Sequence, residues 1–233
     1  MNNVTAVIKT FERPACCKRL VSSIRKYYPD MPIVVADDSR EHIKLNGEGM
    51  RVIELPFNEG LSAGRNEAMG LIETDYFVLL DDDFIFDDRT NIGLMVDMLE
   101  KNCLDIVGGW VDGADNRCAM LHREDGVLIA SPCGQQAQDM INVDMVKNFF
   151  AGRTDAGIKW HAKLKLCEHT AFFWWYKGLL RTGWTSRSSV GHKSEGSAFY
   201  DGFRDKGLDY FREFMKDEGI SVYINMDGDR YEL

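Results

Sequence analysis

Three carboxylates in a row, Asp81-Asp82-Asp83, follow directly on the apolar run Tyr76 to Leu80. Adjacent carboxylates repel, and full ionisation at the end of a buried strand is unfavourable unless a cation sits among them. Asp oxygens are hard ligands suited to Mg²⁺ or Mn²⁺, ions that keep waters and accept phosphate oxygens as further ligands. The triplet therefore predicts a shared metal–diphosphate site, and Phe84 and Phe86 behind it turn the segment back toward the core. Two more polar clusters close apolar runs in the same way: Lys9-Thr10 after Val4 to Ile8, and Asp37-Asp38-Ser39 after Ile33 to Ala36. A fourth segment, Asn58 to Asn66, carries Gly60 and Gly64, which permit close backbone approach at a helix start. Its Arg65 is a planar donor suited to a base or a phosphate.

The elements that must position these residues alternate in the first half of the chain. After the run Val4 to Ile8, Pro14 opens a helix that places Cys17, Leu20, Val21, Ile24 and Tyr28 on one face. Pro29 and Pro32 end that helix. Ile33 to Ala36 is continuously apolar, as a strand covered on both faces must be, and Arg51 to Leu55 and Tyr76 to Leu80 supply two more strands. Strand–helix–strand alternation of this kind predicts an α/β fold, a mainly parallel central sheet flanked by helices. In open sheets of this type ligands bind beyond the carboxyl ends of the strands, where the polar clusters fall.

The second half is less regular. Ile92, Met95, Val96 and Leu99 form a helix face, and Asp105 to Val111 reads as a strand. Met120 to Ala130 reads as a hairpin turning at Glu124-Asp125-Gly126, Val143 to Phe150 as a strand, and Glu168 to Leu180 as an aromatic-rich helix. From Phe199 onward, Phe203, Tyr210, Phe211, Phe214 and Met215 mark an amphipathic stretch broken by Gly202 and Gly207. One domain over residues 1–195 with a helical appendage over 196–233 is the simplest organisation.

Composition excludes several classes. With 233 residues, 45% apolar and 28% charged, the chain is long enough to bury a core and too apolar to be disordered. A formal charge of −9 lacks the basic face that phosphate neutralisation needs, so a nucleic-acid partner is not expected. No stretch approaches the ~18 apolar residues of a membrane span. Met1-Asn2-Asn3 carries no leader pattern, and the six cysteines, without paired spacing, read as reduced thiols; a cytoplasmic location is the expectation. A phosphoacceptor receiver would use the acidic pair and Asp81 but explains neither three adjacent Asp nor the Gly-Arg-Asn segment. A phosphohydrolase would place its nucleophilic Asp where this chain has Lys9-Thr10.

Taken together, Lys9-Thr10-Phe11-Glu12-Arg13, Val35-Ala36-Asp37-Asp38-Ser39, Gly60 to Asn66 and Asp81-Asp82-Asp83 resemble a family-2 glycosyltransferase of GT-A (nucleotide-diphospho-sugar transferase) fold. More narrowly, over residues 4–195 the chain resembles the catalytic domain of the ganglioside β-1,4-N-acetylgalactosaminyltransferases. The closer cues are Ala63-Gly64-Arg65-Asn66, Asp105 to Gly109, Val143-Asp144, Asn148-Phe149-Phe150 and Arg153-Thr154-Asp155. The resemblance implies a nucleotide-sugar half over 1–112 and an acceptor half over 113–195. It implies a metal-dependent, inverting transfer of a hexosyl or N-acetylhexosaminyl group from a UDP-sugar to a glycan or glycoconjugate. Thr10, Asp38 and the neighbouring Asp37 match positions that bind uracil and ribose, and Arg65 the arginine near uracil and the diphosphate. Asp81 matches the first acid of a DxD motif, with Asp82 beside it. Asp83 matches the acid that reaches Mn²⁺ or Mg²⁺, and His192 the late histidine that completes metal or diphosphate binding. The base belongs in a Glu-Asp-x-Glu/Asp pattern; here Glu168-His169 fill the first two positions and Ala171 replaces the later acid. Either Glu168 or His169 then removes the acceptor proton. The missing acid also admits a domain that binds a nucleotide-sugar or glycan without turning it over. A peripheral membrane contact through the C-terminal stretch stays open.

Overall fold

The first apolar run and the Lys9-Thr10 pair that closes it, Val4–Thr10, are buried along their whole length and form strand β1. The computed structural model describes residues 2–114, 117–133, 136–195, 198–204 and 207–233, so Gly196, Ser197, Asp205 and Lys206 of the C-terminal stretch lie outside the described residues. Helix α1 (Pro14–Tyr27), strand β2 (Ile33–Asp37), strand β3 (Met50–Glu54), helix α2 (Leu61–Met69) and strand β4 (Tyr76–Asp81) follow in the expected alternation. Then come β5 (Phe84–Ile85), α3 (Ile92–Lys101), β6 (Ile106–Val111), and a hairpin of β7 (Cys118–Glu124) and β8 (Val127–Cys133). Its turn is Asp125-Gly126, both at positive φ, the pairing that a two-residue turn between twisted strands requires.

Three short strands come next: β9 (Ile141–Val143), β10 (Met145–Val146) and β11 (Phe150–Arg153). A single strand over Val143 to Phe150 is therefore corrected to pieces belonging to two sheets. Asp144 leaves the strand path to accept the Leu121 N–H at 2.8 Å and the Lys177 ammonium at 2.5 Å. Helix α4 (Glu168–Trp175) stops five residues short of the expected end, and β12 (Thr182–His192) returns to the central sheet. Helices α5 (Ala198–Arg204) and α6 (Gly207–Asp217) and strands β13 (Val222–Ile224) and β14 (Arg230–Glu232) complete the chain.

Among the described residues the central sheet runs β3-β2-β1-β4-β11-β6-β12-β5, with β9 also on β12. The strands β3, β2, β1 and β4 are mutually parallel, as are β6 and β12, while β11 runs against both its neighbours. Parallel strands deliver their C-terminal ends to one edge, and the register sets Thr10 beside Asp37 and Lys9 beside Asp81. That edge is where the polar clusters meet. Successive side chains alternate between faces. Val4, Ala6 and Ile8 pack with Leu20 and Ile24 of α1 and Met95 and Leu99 of α3. Val7, Phe77, Leu79 and Phe150 pack on the opposite side with Phe172 of α4 and with the second sheet.

The second sheet runs β10-β7-β8-β13-β14, with β13 parallel to β8. The segment 196–233, expected as a helical appendage, thus contributes two strands, and Phe211, Phe214 and Met215 of α6 are buried in the same core. A three-residue strand such as Val222–Ile224 is too short to show a period in sequence. Among the described residues no helix is long and apolar enough to cross a membrane.

Trp184 is fully buried, with its indole N–H donating to the Gly109 carbonyl at 3.0 Å. Trp184→Ala should cost about 3–5 kcal/mol in urea unfolding. Trp175→Ala, at a side chain 41% exposed, should cost far less in the same experiment.

Candidate active site

Burying charge at the sheet edge requires partners, and each carboxylate there has one. The Lys9 side chain is buried (5% exposed) and ion-pairs with Asp38, while its ammonium also donates to the Thr10 carbonyl at 2.7 Å. Burial pulls the Lys9 pKa down, and Asp38, by charge and hydrogen bond, works against that fall. Asp38 further accepts the Gly60 N–H at 2.8 Å, tying the end of β2 to the start of α2. Gly60 has φ of 101°, and a Cβ there would lie 2.7 Å from the Lys165 Cα. A Cβ on Gly64 would lie 2.3 Å from Lys9 Cδ, so the bare backbone of α2 is what lets Lys9 reach Asp38. Asp37 faces away from this arrangement. It accepts the Ser39 N–H at 2.9 Å, the Ser39 hydroxyl at 2.5 Å and the Ile43 N–H at 2.6 Å, and so shapes the loop after β2.

The Asp triplet divides three ways. Asp82 is 1% exposed, accepts the Thr10 hydroxyl at 2.7 Å and pairs with Arg13. Burial lifts its pKa to about 7; Arg13 and Thr10 pull down, and Asp83 and Asp81 add to the rise. Asp83 takes Arg13 Nη1 at 2.9 Å and lies 3.4 Å from His192 Nε2. Burial alone would raise Asp83, but Arg13, His192 and the Ser194 hydroxyl outweigh it and hold the carboxyl below its usual range. Asp81 opens a third of its side chain (34%) to the cavity, yet partial burial still raises its pKa, with the Arg65 charge opposing and Asp83 adding to the rise.

Arg65 is 1% exposed and lies beneath the cavity wall, over the Trp160 ring at 5.5 Å. Its Nη2 donates to Asp81 at 3.0 Å and its Nη1 pairs with Glu168. Glu168 is the first residue of α4, where the helix dipole favours negative charge. Next to it, His169 Nδ1 lies 2.7 Å from Asn148 Oδ1, and its Nε2 is buried without a hydrogen-bond partner among the described residues. Burial, with Lys147 and Arg65 nearby, holds the imidazole pKa down to about 3. Ala171, at the position of the missing acid, is fully buried in the core.

One cavity of about 390 Å³ collects these groups. Thr10, Asp38, Asp81, Asp82, Asp83, Glu168, His169 and His192 all line it; Asp37 and Arg65 do not. Lys9, Arg13 and Asn148 line it too; all three fall in the quoted motifs, but the sequence assigned them no role in the site. Lys9 and Arg13 flank Thr10 in the opening motif, so basic residues bracketing a strand end were the available signal. Asn148 is 67 residues from Asp81 and 21 from His169, and no local pattern joins them. The C-terminal segment closes the cavity with Ser194, Tyr200 and Phe203. Tyr200 stacks on the Arg13 guanidinium at 4.6 Å, and Phe203 meets Phe11 at 5.2 Å and Phe57 at 5.8 Å.

For a divalent cation the protein offers a partial shell. Among the described residues no group of three or more His, Cys, Asp or Glu side chains is placed to hold one. The Asp83–His192 pair supplies two donors 3.4 Å apart, which fits an ion that takes its other ligands from phosphates and water.

A mixed sheet whose parallel strand β4 ends in a carboxylate triplet, with a glycine-rich helix start and a charged cavity at the carboxyl edge, defines a GT-A glycosyltransferase fold. Residues 1–349 of S. aureus TarS, solved in complex with UDP-GlcNAc, superimpose with a TM-score of 0.66 at 15% identity, covering 92% of this chain and 65% of that one. Its complex with UDP gives a TM-score of 0.64 over 93% and 64% of the two chains, again at 15% identity. The chain belongs to glycosyl transferase family 2, whose model matches residues 5–125. Mouse beta-1,4 N-acetylgalactosaminyltransferase 1 is 35% identical over 208 residues, 82% of this chain and 39% of that protein. Mouse beta-1,4 N-acetylgalactosaminyltransferase 2 is 46% identical over 123 residues, 53% of this chain and 24% of that protein. The chain therefore spans well under half the length of these relatives.

The buried neutral His169 makes stability depend on pH. The unfolded imidazole takes a proton below about 6.5, the folded one only below about 3. Between these values the unfolded chain holds more protons, so stability falls as pH drops. Melting curves across that window should show a shallower acid-side decline for His169→Gln than for the parent protein.

Proposed function

We propose that this chain transfers a hexosyl or N-acetylhexosaminyl group from a UDP-sugar to a hydroxyl of a glycan or glycoconjugate, with inversion and with Mn²⁺ or Mg²⁺ bound. The observation that carries the reading is that the Asp81-Asp82-Asp83 triplet and the Glu168-His169 pair share one cavity. The N-acetylhexosamine donor is favoured by the UDP-GlcNAc complex of TarS and by the names of the two mouse relatives.

In this reading Thr10 and Asp38 take the uracil and ribose, and Asp81, with Asp82 behind it, borders the ribose. Asp83 and His192 hold the cation, which when bound neutralises the charge growing on the departing UDP. Lys9 and Arg13 keep the carboxylates compensated in the ligand-free chain. Asp37 and Arg65 act from outside the cavity: Asp37 fixes the loop after β2, and Arg65 sets Asp81 and Glu168. Of the two candidate bases, His169 is favoured, because the Glu168 carboxylate is tied to Arg65 while His169 Nε2 has no partner. The low basicity of the ring rises when a diphosphate anion enters the same cavity, since a nearby negative charge favours the protonated form. Ala171 lies in the core, so the acid it replaces takes nothing from the cavity, and the turnover reading stands above the binding-only one.

Thermal shift with UDP, UDP-GlcNAc and UDP-GalNAc, with and without Mn²⁺, tests donor and metal together. The Mn²⁺-dependent part of the UDP shift should vanish in Asp83→Asn, along with transfer. His169→Gln should lower kcat by about 10²–10⁴-fold while retaining UDP affinity. Saturable UDP binding with no release of UDP from any UDP-sugar would establish the binding module instead.

A further inference from the structure

Asn148 sits in the short link between β10 and β11 and touches both halves of the cavity. Its Nδ2 lies 3.2 and 3.1 Å from the two carboxylate oxygens of Asp81, and its Oδ1 lies 2.7 Å from His169 Nδ1. Arg65 Nη2 already donates to Asp81 Oδ1 at 3.0 Å, so this pair of oxygens serves as acceptor; the amide N–H₂ then faces Asp81 and the amide carbonyl faces the ring. A carbonyl in turn can only be met by an N–H, which places the ring hydrogen on Nδ1. Turning the amide over would set its carbonyl against the Asp81 oxygens that already accept from Arg65. Burial keeps the ring neutral, so Nε2 carries a lone pair.

We infer that Asn148 is a positioning residue: oriented by Asp81, its carboxamide fixes His169 in the Nδ1–H tautomer and so makes Nε2 the hydrogen-bond acceptor for the attacking hydroxyl. This rests on the transferase reading above. It ties the acid that borders the donor to the base that serves the acceptor through a single amide. Proton transfer at His169 then moves the hydroxyl proton to Nε2 as the oxygen bonds the anomeric carbon and UDP departs with the bonding pair, while Nδ1–H stays on Asn148.

The test has two arms. With ¹⁵N-labelled histidine, the nitrogen shifts of His169 in the wild-type chain should report a protonated Nδ1 and a bare Nε2, and Asn148→Ala should abolish that preference. A wild-type ring protonated at Nε2 overturns the inference without any activity measurement. In the transfer assay, Asn148→Ala should lower kcat by about 10²-fold with UDP affinity retained. In a double-mutant cycle it should add nothing to His169→Gln, since both act on one group. Losses that multiply would place the effect on Asp81 or on the fold and also overturn it. Absence of transfer in the wild-type chain would sink the transferase reading, while the NMR arm would still decide the tautomer.

Discussion

Neutralisation of buried carboxylates at the carboxyl ends of the sheet's parallel strands governs this structure. Asp38, Asp81, Asp82, Asp83 and Glu168 line one cavity, and Lys9, Arg13 and Arg65 are the fixed cations set against them. A buried unpaired charge costs several kcal/mol, so the positions of the three cations are dictated as firmly as those of the acids. Each cation comes from an element that the sheet topology must bring to the edge: the end of β1, the turn into α1, and the first turns of α2. The fold places these groups together because parallel strands end on one side. Arg13 is shared between Asp82 and Asp83, and Arg65 between Asp81 and Glu168; Arg13 and His192 hold the Asp83 carboxyl below its usual range.

Much of the frame was legible because it is local. Continuous apolar runs ending in Asp or Thr mark covered strands with polar carboxyl ends, and the stripe Cys17, Leu20, Val21, Ile24 marks a helix by its spacing. Both survive in the structure. What was not legible depends on long-range pairing. That Asp38 faces the cavity while Asp37 turns into its own loop follows from strand pleat and from the Ser39 and Ile43 amides. That Arg65 lies under the cavity rather than in it follows from the depth of α2 against β1 and β2. The break of Val143–Phe150 into three strands follows from Asp144 answering Leu121 and Lys177, two partners far off in sequence.

The C-terminal segment shows a related limit. Its aromatics read as an amphipathic surface looking for a covering, and the covering is the chain itself. Phe211, Phe214 and Met215 join the core, β13 extends the second sheet, and Phe203 and Tyr200 wall the cavity through Phe11, Phe57 and Arg13. Residues at opposite ends of the chain therefore meet over the same carboxylates.

The bare Cα at position 64 shows how far electrostatics reaches into steric detail. Lys9 lies flat along α2 only because nothing projects from that turn, and its ammonium is the counter-ion of Asp38. A single methyl group there, carrying no charge itself, would push the lysine stem aside and weaken its pairing with Asp38. In this enzyme family member, then, the missing side chain at position 64 is part of how its neighbours' charges come to be paired.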